Sequence, residues 1–205
     1  MAVASLTRGT DKRAEVQRRV LEATERLLAA GASYAELNVE RIAREAGISR
    51  TAFYFYFSDK RELLMRLTEH VSAQLYAEAE AWWTGDEDLR PALTRVVALY
   101  RDHAALLRAV VEAAAYDEPV ASFWRAIVGR FAEATRARLQ AEQAAGRLDA
   151  ELPAEETAFQ LCWMTERACY QRLVQGGDPA GEEFLTALAG LWERGVYGRL
   201  GPPAG

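Results

Sequence analysis

The sequence predicts an all-α protein, with a smaller N-terminal head and a larger helical body, and three observations carry the all-α reading. Ala, Leu, Glu and Arg dominate, the residues that lose least on entering a helix. Apolar side chains recur three and four residues apart rather than alternating. Gly and Pro fall mostly in short clusters between these stretches, where they punctuate rather than interrupt.

A first helix over about 12–30 carries Val16, Val20, Leu27 and Leu28 on one face and stops at Gly31, in the position beyond the C-cap that favours left-handed backbone. Asn38 caps a short second helix, VERIAREA, closed by Gly47, and Ser49 caps a third. Ser58 or Asp59 starts a long fourth helix with Leu63, Leu64, Leu67, Val71 and Leu75 facing inward, broken by TGDED at 84–88. Further helices follow over about 89–101, 103–115, 118–145 (stopped by Gly146), 154–175 (stopped by Gly176 and Gly177) and 180–198. The domain division expected is 1–62 for the head, 63–200 for the body and 201–205, GPPAG, for a frayed tail.

The chain has 205 residues, 50% hydrophobic and 27% charged, which suits a globular protein with room for a core. It has no apolar run long enough to span a membrane and no secretory leader, so a cytoplasmic location is expected. Cys162 and Cys169 lie seven apart on one expected helix face, too far along a helix to be bridged, and are read as reduced core residues. With His70 and His103 far from any cysteine pair, neither a metal site nor a cofactor is expected.

The net charge of −5 hides an asymmetry. Residues 1–66 hold twelve Lys and Arg against nine acids, a balance of +3; the remainder holds thirteen against twenty-one, a balance of −8. The first part is compatible with a polyanion and the second is not.

In VERIAREAGISRTAFYFYF the spacing has a mechanism. Ala43 and Ala46 are small where two helices cross, Gly47 permits a tight turn, Ile48 plugs the corner and Ser49 caps the next helix. Five rings then follow in succession, Phe53 to Phe57. At about 100° per residue Phe53 and Phe57 share one face and anchor the helix inward, whereas Thr51, Tyr54 and Phe55 occupy another arc and Tyr56 lies on the opposite flank. Rings left in water ask for a partner, and a helix of this kind fits the DNA major groove, with Arg50 able to address guanine. The competing reading packs Tyr54 to Tyr56 against the rest of the protein or a neighbour. Lys60, in the first turn of the fourth helix, opposes the helix dipole, a conflict that a phosphate bound by the amides and the ammonium would remove.

The run from Leu27 to Leu64, with IAREAGISRTAFYFYFSDKRELL at its centre, resembles the DNA-binding domain of TetR-type transcriptional repressors. The resemblance implies a three-helix helix-turn-helix DNA-binding head, a larger helical-bundle body that binds ligand and dimerises, and a homodimer that leaves its double-stranded operator DNA when a small molecule binds. By position, Asn38 and Ser49 would sit at helix starts near phosphates; Arg50, Thr51 and Tyr54 would reach bases; Tyr56 and Lys60 would hold the backbone; Phe55 would do either. Tyr56 stands where the family more often has His.

Fourteen aromatic residues, including all five tryptophans, follow residue 68. The helix over 154–175 carries two apolar stripes, one through Ala158, Cys162, Thr165 and Cys169, the other through Phe159, Trp163, Tyr170 and Leu173. The last helix doubles likewise, with Phe184, Leu188, Leu191 and Trp192 against Leu185, Ala189 and Val196. Helices apolar on two sides are buried on two sides, which points to a four-helix interface between two copies. With FYFYFSDK, Trp124, MTER at 164–167 and Trp192 followed by VYG, the chain is similar to the EthR-like subgroup. That resemblance implies an apolar tunnel lined by Leu89, Val96, Tyr100, Trp124, Val128, Phe131, Cys162, Thr165 and Trp192, with Thr165 where the subgroup often has Asn, and the few polar groups among these residues suggest a small, lipophilic and neutral effector. The plainer reading of each ring is ordinary core. Glu166 and Arg167 are read as charges held in structural salt bridges, within the chain or across the dimer.

Two other classes compete. An enzyme would need a nucleophile with its base, a metal set or a phosphate loop, and no such motif is present. A constitutive DNA-binding dimer or an activator, whose body only dimerises, shares every motif above and differs in having no effector.

Overall fold

A computed structural model describes residues 3–176 and 181–198, with side chains from Arg13 onward. The regular elements are all helices: α1 (Val3–Ala29), α2 (Val39–Glu45), α3 (Arg50–Tyr56), α4 (Lys60–Thr84), α5 (Leu89–Asp102), α6 (Ala104–Ala114), α7 (Glu118–Ala144), α8 (Ala154–Cys169) continued by a π-helical turn over Tyr170–Gln175, and α9 (Glu182–Tyr197). The expected tail, 201–205, and the stop at Gly177 lie outside the described residues. The first helix begins at Val3, earlier than its apolar face suggested.

The chain divides into two compact units. One comprises the residues up to His70 together with Ala105–Ala121; the other comprises Val71–Ala104 and the residues from Ser122 onward.

In the first unit, Val20, Ala23, Leu27 and Leu28 of α1, Ile42 and Ala43 of α2, Phe53 and Phe57 around α3, and Leu63, Leu64 and Leu67 of α4 are buried. The turn between α2 and α3 closes as the spacing required: Gly47 adopts φ +66°, its N–H donates to Arg44 O, and Ile48 N–H donates to Ala43 O at 2.9 Å. Arg19 of α1 donates to the carbonyl oxygens of Ala46 and Gly47, so α1 caps the C-terminal end of α2. Asp59 is the residue that caps α4: its Oδ1 accepts from Glu62 N–H at 2.8 Å, while Glu62 accepts from Ser58 N–H at 2.7 Å.

In the second unit, α5 packs against α9 and the π turn, and α8 against α9. Its core is aromatic: Trp82, Tyr100, Trp124, Tyr170 and Trp192 are all buried. The two stripes expected on α8 do not persist. Ala158, Cys162, Thr165 and Cys169 face inward, but Phe159 is exposed and Trp163 half-buried, whereas Tyr170 and Leu173 are buried with the first stripe. The π turn ends the 100° register on which the second stripe was drawn. On α9, Leu185, Leu188, Ala189, Trp192 and Val196 form one inward face, leaving Phe184 half-buried and Leu191 exposed.

Candidate functional site

The surface around α3 is built by two caps and one turn. Ser49 Oγ accepts from Ala52 N–H at 3.1 Å and Asn38 Oδ1 from Arg41 N–H at 2.9 Å, so both side chains serve helix starts and both residues are exposed. Once α3 is set, its pitch separates the five rings. Phe53 and Phe57 are buried, with ring centroids 5.4 Å apart, while Tyr54 is 46% and Phe55 71% exposed and Tyr56 is half-buried. Thr51 is exposed beside them.

Arg50 is not idle. Its guanidinium pairs with Glu40 of α2 and lies 5.8 Å from the Tyr54 ring centroid, and these two neighbours hold it above its usual pKa, Tyr54 being the stronger cause. Arg13 of α1 stands 5.9 Å from the Phe55 ring, a neighbour with no signal in the spacing of the motif. Arg50, Thr51, Tyr54 and Phe55 thus share one exposed face, flanked by arginine.

Lys60 is engaged within the protein. Its ammonium donates to the carbonyl oxygens of Tyr34, Ala35 and Leu37 at 3.0, 3.0 and 3.1 Å, and the Tyr34 hydroxyl donates back to Lys60 O at 2.8 Å. Three carbonyl oxygens therefore take the place that the dipole argument assigned to a phosphate, and all three ammonium protons are spent. Partial burial lowers the Lys60 pKa.

The second unit carries the other set of singled-out residues. Leu89, Tyr100, Trp124, Val128, Cys162, Thr165 and Trp192 are buried and Val96 is half-buried. Phe131, also half-buried, meets Tyr76 and Trp83 edge-on at 5.6 and 5.7 Å, so it belongs to a ring cluster on α4 and α7 that includes the exposed Tyr76. Trp192 Nε1 donates to Thr165 Oγ1 at 2.7 Å, and the Trp192 ring stands edge-on to Trp82 at 5.5 Å. Trp83 Nε1 donates to Thr135 Oγ1, which lies 3.6 Å from Cys162 Sγ. Burial pushes the thiols of Cys162 and Cys169 up to about 11 and about 12, so both remain protonated core groups. Glu166 is sealed in the core while Arg167, 3.6 Å away, is half out in solvent, so the expected buried pair is lopsided.

Among the described residues, no group of three or more His, Cys, Asp or Glu is placed to hold a metal ion, and no helix is long and apolar enough to cross a membrane.

Comparison with known proteins gives these surfaces a family. Residues 20–67 match the model of bacterial regulatory proteins of the tetR family, and residues 89–198 match that of the C-terminal domain of the transcriptional regulator EthR. The HTH-type transcriptional regulator EthR of Mycobacterium tuberculosis is 31% identical over 172 residues, covering 80% of this chain and 79% of its own. The regulator of the same name from Mycolicibacterium smegmatis is 29% identical over 191 residues, covering 88% and 86%.

The chain belongs to the TetR family.

It is a DNA-binding transcriptional regulator with an EthR-like C-terminal part, and its relatives are regulators rather than enzymes. Solved folds agree: a TetR-family transcription regulator from Marinobacter aquaeolei superposes with TM-score 0.66 at 22% identity over 93% of this chain and 100% of its own. A transcriptional regulator from Rhodococcus sp. reaches 0.67 at 20% identity over 88% and 97%. Within this TetR-family chain, Trp82 and Trp83 join the expected lining residues with no signal in the sequence spacing, Trp82 by its edge contact with Trp192 and Trp83 by its hydrogen bond to Thr135, which lies beside Cys162.

Proposed function

We propose that the protein is a homodimeric repressor that binds operator DNA through α3 and is released from it by a small lipophilic molecule held in the second unit. Residues 1–62 would act as the DNA-binding domain and 63–200 as the effector-binding and dimerisation domain, in the cytoplasm. The observation that carries the reading is the exposed face of Arg50, Thr51, Tyr54 and Phe55 beside a helix-turn-helix closed by Gly47. On DNA, Arg50 leaves Glu40 for a guanine edge, Tyr54 and Phe55 meet base edges and thymine methyls, and Tyr56 with the helix starts at Asn38 and Ser49 faces phosphates. Lys60 contributes by holding the 34–37 turn rather than by touching DNA.

Dimerisation is supported by large apolar side chains left in water on α8 and α9: Phe159, Leu191 and Tyr197 are each close to half exposed. A repeated isologous contact through these two helices would cover them. The effector reading is supported by the aromatic core and by α4, one continuous helix whose first turns belong to the first unit and whose last turns carry Trp82 and Trp83 of the second. An effector that displaces α4 changes the spacing of the two recognition helices, and half-sites about 34 Å apart tolerate little change. Effector and operator then antagonise each other reciprocally.

The test is a gel shift with the DNA flanking the protein's own gene, repeated across a library of apolar small molecules. Sequence-selective retardation abolished by some compounds is expected. Retardation that no compound relieves would favour the constitutive dimer.

A further inference from the structure

Most polar atoms among the rings of the second unit are matched to one another: Trp192 with Thr165, Trp83 with Thr135, Thr135 with Cys162. Trp124 Nε1 and both carboxylate oxygens of Glu166 are not. Each is shut off from solvent and makes no hydrogen bond of good geometry among the described residues, although the Trp124 N–H is near enough to the Glu166 carboxylate to lower its pKa. Glu166 is 3% exposed. Its nearest cation, Arg167 Nε, stands 3.6 Å from Oε2, beyond hydrogen-bond reach, and the Arg167 guanidinium lies over the Tyr170 ring instead. Arg167 therefore offsets charge without supplying a donor.

The orphaned groups belong to two helices, Trp124 to α7 and Glu166 to α8. Burial raises the Glu166 carboxyl above the usual carboxylate range, while Arg167 and then the Trp124 indole of α7 pull it down. Tyr100 of α5 is pushed well above its ordinary value, chiefly by burial and in part by Cys169 and this same carboxylate. A deprotonated carboxylate can only accept, an indole N–H can only donate, and a phenol does either. Buried groups of this kind are kept unpaired only rarely, because each gives up its water for nothing.

We propose that Glu166 anchors the polar head of the effector, and that this head is a basic nitrogen: an amine or ammonium on an apolar body lying among Tyr100, Trp124 and Trp192. The assignment rests on the effector reading above and narrows it from a neutral lipophile to a cationic or strongly donating one. An ammonium supplies several donors to two acceptor oxygens, cancels the buried charge and is favoured by aromatic faces. A carboxylate head meets repulsion at the same point, and an alcohol satisfies one oxygen at most.

Isothermal titration of the full chain with phenylbutylamine, phenylbutanol and phenylbutanoate tests this on one skeleton. Wild type is expected to bind the amine tighter than the alcohol by about tenfold or more, and the acid weakest. Glu166→Gln should bring the amine down to the alcohol and leave the alcohol unchanged, and Glu166→Asp should restore part of the preference. Equal binding of amine and alcohol by wild type, or an amine preference that survives in a folded Glu166→Gln protein, overturns the anchor and leaves the effector site standing. If none of the three binds, the anchor is lost and the effector reading is weakened with it. The wild-type comparison decides even if Glu166→Gln does not fold.

Discussion

The two units of this molecule place their unsatisfied chemistry on opposite sides. In the first, half-buried polar groups are spent on the fold: Arg19 on the end of α2, Lys60 on three carbonyl oxygens, Glu62 on the start of α4. What remains without a protein environment is outside, in the rings of Tyr54 and Phe55. In the second unit, the rings Trp82, Trp124 and Trp192 lie inside and the unmatched polar atoms lie inside with them. One unit is finished within and open without; the other is unfinished within. A macromolecular partner can meet only the first kind of surface, and a small molecule suits the second.

The largest effect that would test this contrast lies within α3 itself. Phe53→Ala removes a side chain that is 0% exposed, at an expected cost of about 3–5 kcal/mol. Phe55→Ala, at a position 71% exposed, should move stability by no more than about 0.5 kcal/mol. Operator affinity should nevertheless fall for Phe55→Ala by about 1–2 kcal/mol through lost base-edge contact. Melting curves and gel shifts on both variants check it, and equal losses of stability would erase the distinction between the faces.

That contrast was legible in the sequence because α3 is short and regular, so angular placement at 100° per residue sorted Phe53 and Phe57 from Tyr54 and Phe55 without any tertiary information. The same rule misled on α8, where Tyr170 follows Trp163 by seven residues but turns inward as the helix widens into its π turn. A widening of that kind depends on packing and leaves no spacing signal. Lys60 shows a different limit of the sequence. The dipole argument rightly demanded a compensating group, but the compensators were carbonyl oxygens of Tyr34, Ala35 and Leu37, and carbonyls are invisible in a sequence.

Next in size is a change in the second unit. Trp192→Phe deletes the N–H that reaches Thr165 and reduces the edge contact with Trp82, and should cost about 1–3 kcal/mol. Operator binding without effector should stay at wild-type strength for the folded variant. A matching loss of operator affinity in gel shifts would mean that the second unit's core governs DNA binding even when empty.

Lys60→Met separates the carbonyl cage from a phosphate contact. The cage predicts a loss of about 1–2 kcal/mol, as three carbonyl oxygens lose a charged donor, with the salt dependence of operator binding unchanged. A phosphate contact predicts a salt slope lower by about one and no loss of stability. Titrations at several salt concentrations beside melting curves distinguish the two.

The smallest effect carries an unusual sign. Burial raises the Glu166 carboxyl, with Arg167 and Trp124 opposing only in part, so the folded chain holds that proton more firmly than the unfolded chain does. Stability therefore falls as pH rises from the unfolded value, about 4.3, through the raised folded value, and above that window the wild type bears the buried charge. Glu166→Gln removes the charge and should be the more stable protein at neutral pH, by about 1 kcal/mol, with the difference closing as pH falls through the window. Melting temperatures of both proteins across this range read it directly. A Glu166→Gln protein less stable than wild type at neutral pH would mean that Arg167 and Trp124 already satisfy the carboxylate, and the second unit would then be as finished inside as the first.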